Sequence, residues 1–284
     1  MTQQKTALIT GATGGIGRAL ALRLAKDGYD LMIVGRSAER GKLVVQTIQQ
    51  YGVDAHFVQA DLSLMREVRR VAETFQQHYN HLDLLVHSAG VIHTKRILTD
   101  EGLETTFATD YLSRFYLTNL LLDCLKATPS ARILNIAASG GGMGNIHFDD
   151  LLGERKIGGM RGLGQAQFAN DVHTVELARR LKDTPITVNA MHPGAVDTGI
   201  RRELPSWLNG IMGLLFSRVA MTADEGAEAP YYLVTSPEVA QTSGALFKKA
   251  ERITKSTKAD DPMLGERLWD VSEQLVQEVV GVPA

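Results

Sequence analysis

The sequence predicts an α/β fold in which a doubly wound, mostly parallel sheet is covered by helices on both faces. Three observations lead there. Short runs of apolar and β-branched residues recur along the chain, "KTALIT", "YDLMIV", "DAHFVQ", "LDLLVH", "ARILNIAA", "ITVNAMHP" and "SGALF", each of strand length. Between them lie longer segments with helical spacing, among them Gly15 to Asp27, Leu64 to Tyr79, Gly102 to Leu125 and Gly162 to Lys182. Strands alternating with helices need right-handed crossovers, which set the strands parallel and the helices on either side. Finally, no repeat, low-complexity block or Pro/Gly-rich linker divides the chain, so a single domain is expected over 1–284, with an irregular insertion at about 199–221.

The bulk properties exclude several classes. Apolar residues make up 44% of the chain and charged ones 22%, a balance that forms a core and rules out disorder. A net charge of −2 with both signs interspersed offers no basic stripe for a phosphate backbone, so nucleic acid is not an expected partner. Cys124 is alone; it can form no internal disulfide or thiolate zinc cluster, and it reads as core filler in a reducing compartment. No spacing of His and carboxylates suggests a metal. The opening "MTQQKTALITGATGG" enters a strand pattern at once, without the regions of a signal peptide. No apolar run approaches the roughly 20 residues that span a bilayer, so a soluble, cytoplasmic protein is expected.

After the first strand comes Thr10-Gly11-Ala12-Thr13-Gly14-Gly15-Ile16-Gly17, leading straight into a helix. Glycines there let the backbone approach a pyrophosphate, whose charge the N–H groups and helix dipole stabilise. The second strand ends in Gly35-Arg36-Ser37, where an acidic residue would hold the ribose hydroxyls of NAD; a guanidinium and hydroxyl suit a 2′-phosphate, hence NADP(H), and a solvated arginine is the plainer alternative. Asp61-Leu62, beyond the third strand, suits an adenine amino group, or else Asp61 caps the helix that begins at Leu64.

These motifs, with "HSAG" at 87–90 and "HPGAVDTGI" at 192–200, resemble the short-chain dehydrogenase/reductase family nearly end to end. The phrases "FYLTNLLLDCLK", "GNIHFDDL", "VELARRLK" and "ERLWDVSEQL" are most similar to its retinol-dehydrogenase-like branch. The resemblance implies a Rossmann-type sheet in which Gly11, Thr13, Gly15, Ile16, Gly17, Arg36, Ser37, Asp61, Leu62, Ala89 and Gly90 line the dinucleotide. Gly194, Val196 and Thr198 would lie near the nicotinamide. It also implies a possible homodimer through the helices beginning near Gly102 and Gly162.

The family's catalytic tetrad does not carry over. Its tyrosine and lysine fall on Leu163 and Gln167, its serine on Ala138, with Ser139 one residue out of register, and its relay asparagine on Asp110. No tyrosine precedes a lysine by four residues elsewhere in the chain. Losing a general acid typically costs about 10² to 10⁴ in rate, so the usual carbonyl reduction is not expected.

Asp110 and Asp171 are the candidate replacements. Residues 163, 167, 171 and 174 share one helix face, which would aim Asp171 toward the cleft; two carboxylates meeting there would push one pKa upward. The simpler alternative pairs Asp110 with Arg114 and leaves Asp171 at an interface or beside water. His147 and His173 read as packed or surface residues, His192 as a family residue without a catalytic role, and His93 as a candidate substrate contact. The segment "LPSWLNGIMGLLFSRV", 204–219, supplies an apolar lid through Trp207, Leu208, Ile211, Met212, Leu214, Leu215 and Phe216. It suits a hydrophobic small molecule or a membrane surface, or packs on its own core. Three functions stay open: an atypical NADP(H)-dependent oxidoreductase, a non-redox isomerase, cyclase or dehydratase, and a dinucleotide-binding pseudoenzyme.

Overall fold

A computed structural model describes residues 4–136, 144–155, 159–194, 221–253 and 258–281. The seven expected strands form β1 (Thr6–Thr10), β2 (Asp30–Gly35), β3 (Ala55–Gln59), β4 (Leu84–His87), β5 (Arg132–Ile136), β6 (Thr187–His192) and β7 (Leu246–Lys248). An eighth, β8 (Glu251–Arg252), was too short to be read from the sequence and returns antiparallel to β7. The sheet order is β3-β2-β1-β4-β5-β6-β7-β8, and all pairs except the last are parallel. Strand order therefore reverses between β1 and β4, and that switch point opens a crevice at the carboxyl ends of the strands.

Side chains alternate across the sheet and fill two cores. Ala7, Ile9, Leu31, Ile33, Leu134 and Met191 point to the side covered by α1 (Gly15–Lys26) and α2 (Ala38–Gln49). Leu8, Met32, Leu85, Ile133 and Val188 point to the other side, beneath α3 (Met65–His78), the broken helix through residues 105–126, and the long helix 160–180. Burying the strands on both faces explains why they read as continuous apolar runs.

The segment expected to be one helix from Gly102 to Leu125 is several pieces. It comprises α4 (Thr105–Phe107), a π-helical turn (Ala108–Leu112), α5 (Ser113–Leu120) and α6 (Leu122–Lys126). The π turn accommodates one extra residue and gathers Asp110 and Tyr111 inward, both fully buried. The following helix, α7 (Met160–Arg180), begins two residues before the expected Gly162. The short α8 (Ala223–Gly226) and α9 (Glu228–Thr235) join the α1 side.

Helix α10 (Pro262–Val280) lies along α7 and also touches α3. Tyr111 Oη and Ser272 Oγ share a 2.7 Å hydrogen bond. Trp269 packs edge-on against Phe115, 4.9 Å between centroids, and Arg180 stacks over its indole at 4.0 Å. At Gly265 the helices approach so closely that a Cβ would lie 2.8 Å from Glu176 Oε2 and 3.2 Å from Glu176 Cβ. Glu176 cannot easily yield, because Arg179 and Arg180 both bind its carboxylate. Gly265→Ala is therefore expected to lower unfolding free energy by about 1 to 3 kcal/mol and to loosen α10 first. Urea titration and amide exchange of α10 would read both; an unchanged variant would show that the contact is not tight.

Candidate active site

The turn after β1 is built on glycines for identifiable reasons. Gly11 has φ +70, and a Cβ there would lie 2.7 Å from the backbone N and Cα of Ala89. A Cβ on Gly17 would meet the Gly11 carbonyl oxygen at 2.8 Å. Both positions exclude any side chain, so the turn folds flat against the start of α1 and the end of β4. Thr10 Oγ1 fixes that approach by accepting the N–H groups of Ser88 and Ala89 at 3.1 and 3.2 Å. Gly14 precedes α1 without a side-chain cap, which leaves the first helical N–H groups and the positive dipole end for an anion. Thr13 packs onto Gly35, linking the turn to the end of β2. Ile16 is buried beneath Gly15.

At the rim, Arg36 is exposed and its carbonyl accepts from Gln59 Nε2 at 3.1 Å. Ser37 caps α2, its Oγ accepting the Arg40 N–H at 3.4 Å, and its hydroxyl hydrogen is left for another acceptor. Asp61 does not cap α3. Its Oδ1 accepts the Ser63 N–H within the preceding turn at 3.0 Å, while Glu101 from a distant loop accepts the N–H groups of Met65 and Arg66. Capping by a residue remote in sequence leaves no local motif, and Asp61 is exposed. Leu62 is buried.

The loop after β4 rests on a buried charged platform. Asp110 Oδ1 accepts the Val91 N–H at 2.8 Å, and Oδ2 accepts from Gln167 Nε2 at 3.0 Å. Its carbonyl takes a bond from Asn170 Nδ2 at 2.7 Å. Arg114 donates to the Ala89 carbonyl at 2.9 Å, and among the described residues no ion pair joins it to Asp110 within 4 Å. The expected Asp110–Arg114 pair is thus replaced by two struts under the 89–91 loop, because each group satisfies a loop backbone atom instead. Both residues are 2% exposed. Burial pushes the Asp110 carboxyl up to about 7, against the opposing pull of Arg114 and the Val91 N–H, and it brings Arg114 down to about 10. Gly90 lies directly over the carboxylate, its Cβ position 3.5 Å from Oδ2.

Asp171 does not join Asp110. It faces His192 at the end of β6, Oδ1 to Nε2 at 3.4 Å, with both side chains buried. Burial raises the Asp171 pKa, opposed by His192. The surface or water-side alternative is likewise corrected, since Asp171 is 2% exposed. One turn further along α7, Thr174 Oγ1 accepts from Asn135 Nδ2 at 3.0 Å. On the shared face, Asp171 and Thr174 meet the sheet, Gln167 reaches Asp110 of the π turn, and Leu163 is buried one turn before it. His173 packs against Tyr111 and Phe115, and burial takes it down to about 3; His147 is exposed, and His93 half-buried.

All seven tyrosines are described, and none lies on α7. Tyr111 binds Ser272, Tyr116 accepts from Arg69, Tyr79 donates to Asp54, and Tyr231 and Tyr232 donate to Asp27 and Glu238. Tyr29 and Tyr51 lie under Lys5 and Lys26. Ala138, Ser139, Val196, Thr198 and the lid residues Trp207 to Phe216 lie outside the described residues. Gly194 is described and takes φ +78. Among the described residues no His, Cys, Asp or Glu cluster could hold a metal, and no helix is long and apolar enough to cross a membrane.

Comparison with known proteins decides the family. The short chain dehydrogenase family model matches residues 5–149, and a retinol dehydrogenase 14 of Mus musculus is 34% identical, the match covering 96% of this chain and 86% of the relative. The chain belongs to the short-chain dehydrogenase family. A retinol dehydrogenase 13 of Homo sapiens is 32% identical over 96% of the chain and 84% of its own length, consistent with the retinol-dehydrogenase-like branch. Among solved structures, an uncharacterised protein from Mycobacterium paratuberculosis superposes with a TM-score of 0.77 at 26% identity, covering 96% of this chain and 94% of that one. A short chain dehydrogenase from Burkholderia cenocepacia, in complex with NADP, gives 0.70 at 27% identity, covering 88% and 98%.

Within this short-chain dehydrogenase fold the structure joins Asp110 to Gln167 and leaves Asp171 and Leu163 apart from that pair. Sequence reasoning named Arg114 only as an ion-pair partner of Asp110 and missed Asn170 and the loop Val91; for Asn170 the signal was only a polar residue within a largely apolar helix. Asp110→Asn is expected to fold, since Gln167 Oε1 has no partner among the described residues and the amide can turn to present it. A carboxyl raised from 3.8 to about 7 holds its proton in the folded chain while the unfolded chain releases it. Its stabilisation is therefore full below about pH 4 and is lost as pH rises to about 7. Relative to Asp110→Asn, the parent chain should lose stability across that window at on the order of 1 kcal/mol per pH unit. Parallel stability curves in urea would show that Asp110 titrates normally.

Proposed function

We propose that the chain is an atypical NADP(H)-dependent oxidoreductase that transfers hydride to a hydrophobic small molecule without the tyrosine, lysine and serine its family uses. The observation that carries this reading is an intact glycine cradle whose neighbouring 89–91 loop rests on an Asp110–Gln167 pair, with Leu163 at the position where the family's tyrosine is expected. The cradle fits a dinucleotide on its own geometry, because Gly11 and Gly17 leave no room for a Cβ and the α1 N-terminus carries no side-chain cap. Gly11, Gly15, Ile16 and Gly17 would hold the pyrophosphate, Thr13, Arg36 and Ser37 the phosphorylated ribose, and Asp61 and Leu62 the adenine. Ala89, Gly90 and Gly194 would flank the nicotinamide end, together with Val196 and Thr198. When bound, NADP(H) supplies the hydride chemistry. The Burkholderia neighbour's NADP and the relatives' retinol dehydrogenase names support the cofactor and a hydrophobic substrate.

The residues present restrict the substrate class. Burial raises the Asp110 carboxyl to about 7, yet the group is buried and both oxygens already accept hydrogen bonds. It can tune charge beneath the 89–91 loop but cannot press a proton onto a substrate oxygen directly. Leu163 offers no hydroxyl. The reading therefore selects acceptors that take hydride without a strong protein acid, such as a conjugated enone, an iminium or a quinone-like ring, with water supplying any proton. A single domain over 1–284, with 199–221 covering an apolar substrate in a cytoplasmic protein, completes this reading. The engaged oxygens of Asp110 also favour a second reading, a pseudoenzyme that binds the dinucleotide without turnover.

Mixing the chain with NADPH and a panel of hydrophobic enones and quinones is expected to bleach the nicotinamide absorbance with at least one of them. Tight NADPH binding with no bleaching across the panel would replace this reading with the second. Product without bleaching would instead indicate an isomerase, cyclase or dehydratase. Restoring the family groups, by Ala138→Ser, Leu163→Tyr and Gln167→Lys together, should raise reduction of a hydrophobic aldehyde by about 100-fold or more. No gain would mean that the cleft itself has been reshaped.

A further inference from the structure

The long helix carries a carboxylate that neither the glycine cradle nor the Asp110 platform uses. Asp171 lies midway along α7, in the seam between that helix and the sheet, with its Oδ1 turned to the last residue of β6. Ionising a group so deeply buried is costly unless a partner offsets the lost hydration, and an aliphatic side chain would pack such a seam at lower cost. Most polar groups nearby are turned elsewhere. Gln167, one turn earlier, binds Asp110, Arg114 serves the Ala89 carbonyl, Thr174 accepts from Asn135, and His87 meets Thr118. His192 is the group that faces Asp171. Its Nε2 lies 3.4 Å from Oδ1, within ion-pair reach, and among the described residues neither ring nitrogen is hydrogen-bonded to any other group.

His192 is also where β6 ends. Its carbonyl accepts the Lys249 N–H at 3.0 Å, which fixes the strand end from the β7 side, while Asp171 holds the ring from the α7 side. Pro193 and Gly194 follow at once, and Gly194 takes φ +78, so the chain turns two residues beyond the pair. Planar peptide units carry any rotation of His192 straight into that turn.

We propose that Asp171 is a positioning residue, which orients the His192 imidazole and through it sets the Pro193–Gly194 backbone against the nicotinamide end of the dinucleotide crevice. A carboxylate facing one imidazole nitrogen selects a ring orientation and tautomer, whereas an aliphatic contact at the same place would accept several. This inference rests on the dinucleotide reading given above and assigns to it a pair of residues outside the cradle.

Titrations of the full chain with NADPH and with 2′,5′-ADP, which lacks the nicotinamide half, test it. Asp171→Asn is expected to weaken NADPH by about fivefold or more and to dim the fluorescence of the bound nicotinamide, while changing 2′,5′-ADP by less than about twofold. His192→Gln should do the same, and the double variant should lose no more than either single one, as expected of a coupled pair. Asp171→Val, which makes the seam aliphatic, should resist urea at least as well as the parent yet bind NADPH as weakly as Asp171→Asn. Equal losses for NADPH and 2′,5′-ADP would overturn the inference by showing a general packing defect. So would unchanged NADPH binding in Asp171→Asn and Asp171→Val, or additive losses in the double variant; all of these leave the dinucleotide reading standing. A parent chain that binds neither ligand would remove that reading and this inference together.

Discussion

Ala89 occupies the space where a side chain on Gly11 would have to go. That contact brings the turn after β1 against the end of β4, at the point where strand order reverses, and Thr10 locks it with two hydrogen bonds. Because Gly17 then packs on the Gly11 carbonyl, the first turn of α1 is held flush with the sheet edge. Every other part of the site takes its place from this junction. The 89–91 loop is positioned from above by the glycine turn and from below by Asp110 and Arg114. A constraint of this kind is steric and backbone-borne, so it survives wholesale replacement of the side chains around it.

Beneath the loop the buried side chains are strongly polar. Asp110, Gln167, Asn170, Asp171 and His192 form a polar column between α7 and the sheet, continued by Thr174 and Asn135. Burying one carboxylate and one guanidinium there is costly unless each is well bonded. Asp110 meets that condition with two donors, whereas Arg114 keeps Nε and Nη1 without partners among the described residues. The chemistry of such a column is that of a support. It fixes where the loop, the long helix and the sheet meet, and it leaves Leu163 to present a hydrocarbon surface at its upper end.

The fold was legible because strands such as Thr6–Thr10 are buried on both faces and therefore read as unbroken apolar runs. The π turn at Ala108–Leu112 was not, since its residues are compatible with an ordinary helix and the extra residue is imposed by packing. The glycine turn could be read because Gly11 and Gly15 take positive φ and Gly17 leaves no room for a Cβ. Pairings such as Asp171 with His192, or Glu101 with the start of α3, join segments far apart in sequence, and only the strand order brings them together.

Tyr111 and Ser272 are 161 residues apart, yet the Tyr111 hydroxyl finds its partner in Ser272, whose own hydroxyl is donated to the Leu268 carbonyl. A nascent chain emerging from the ribosome would complete the sheet strands through β7 while the outer side of α7 still lacked its cover. Helix α10 therefore closes the molecule late, and until it arrives the Phe115 and His173 surface is open to water. Contacts of such long sequence separation slow folding.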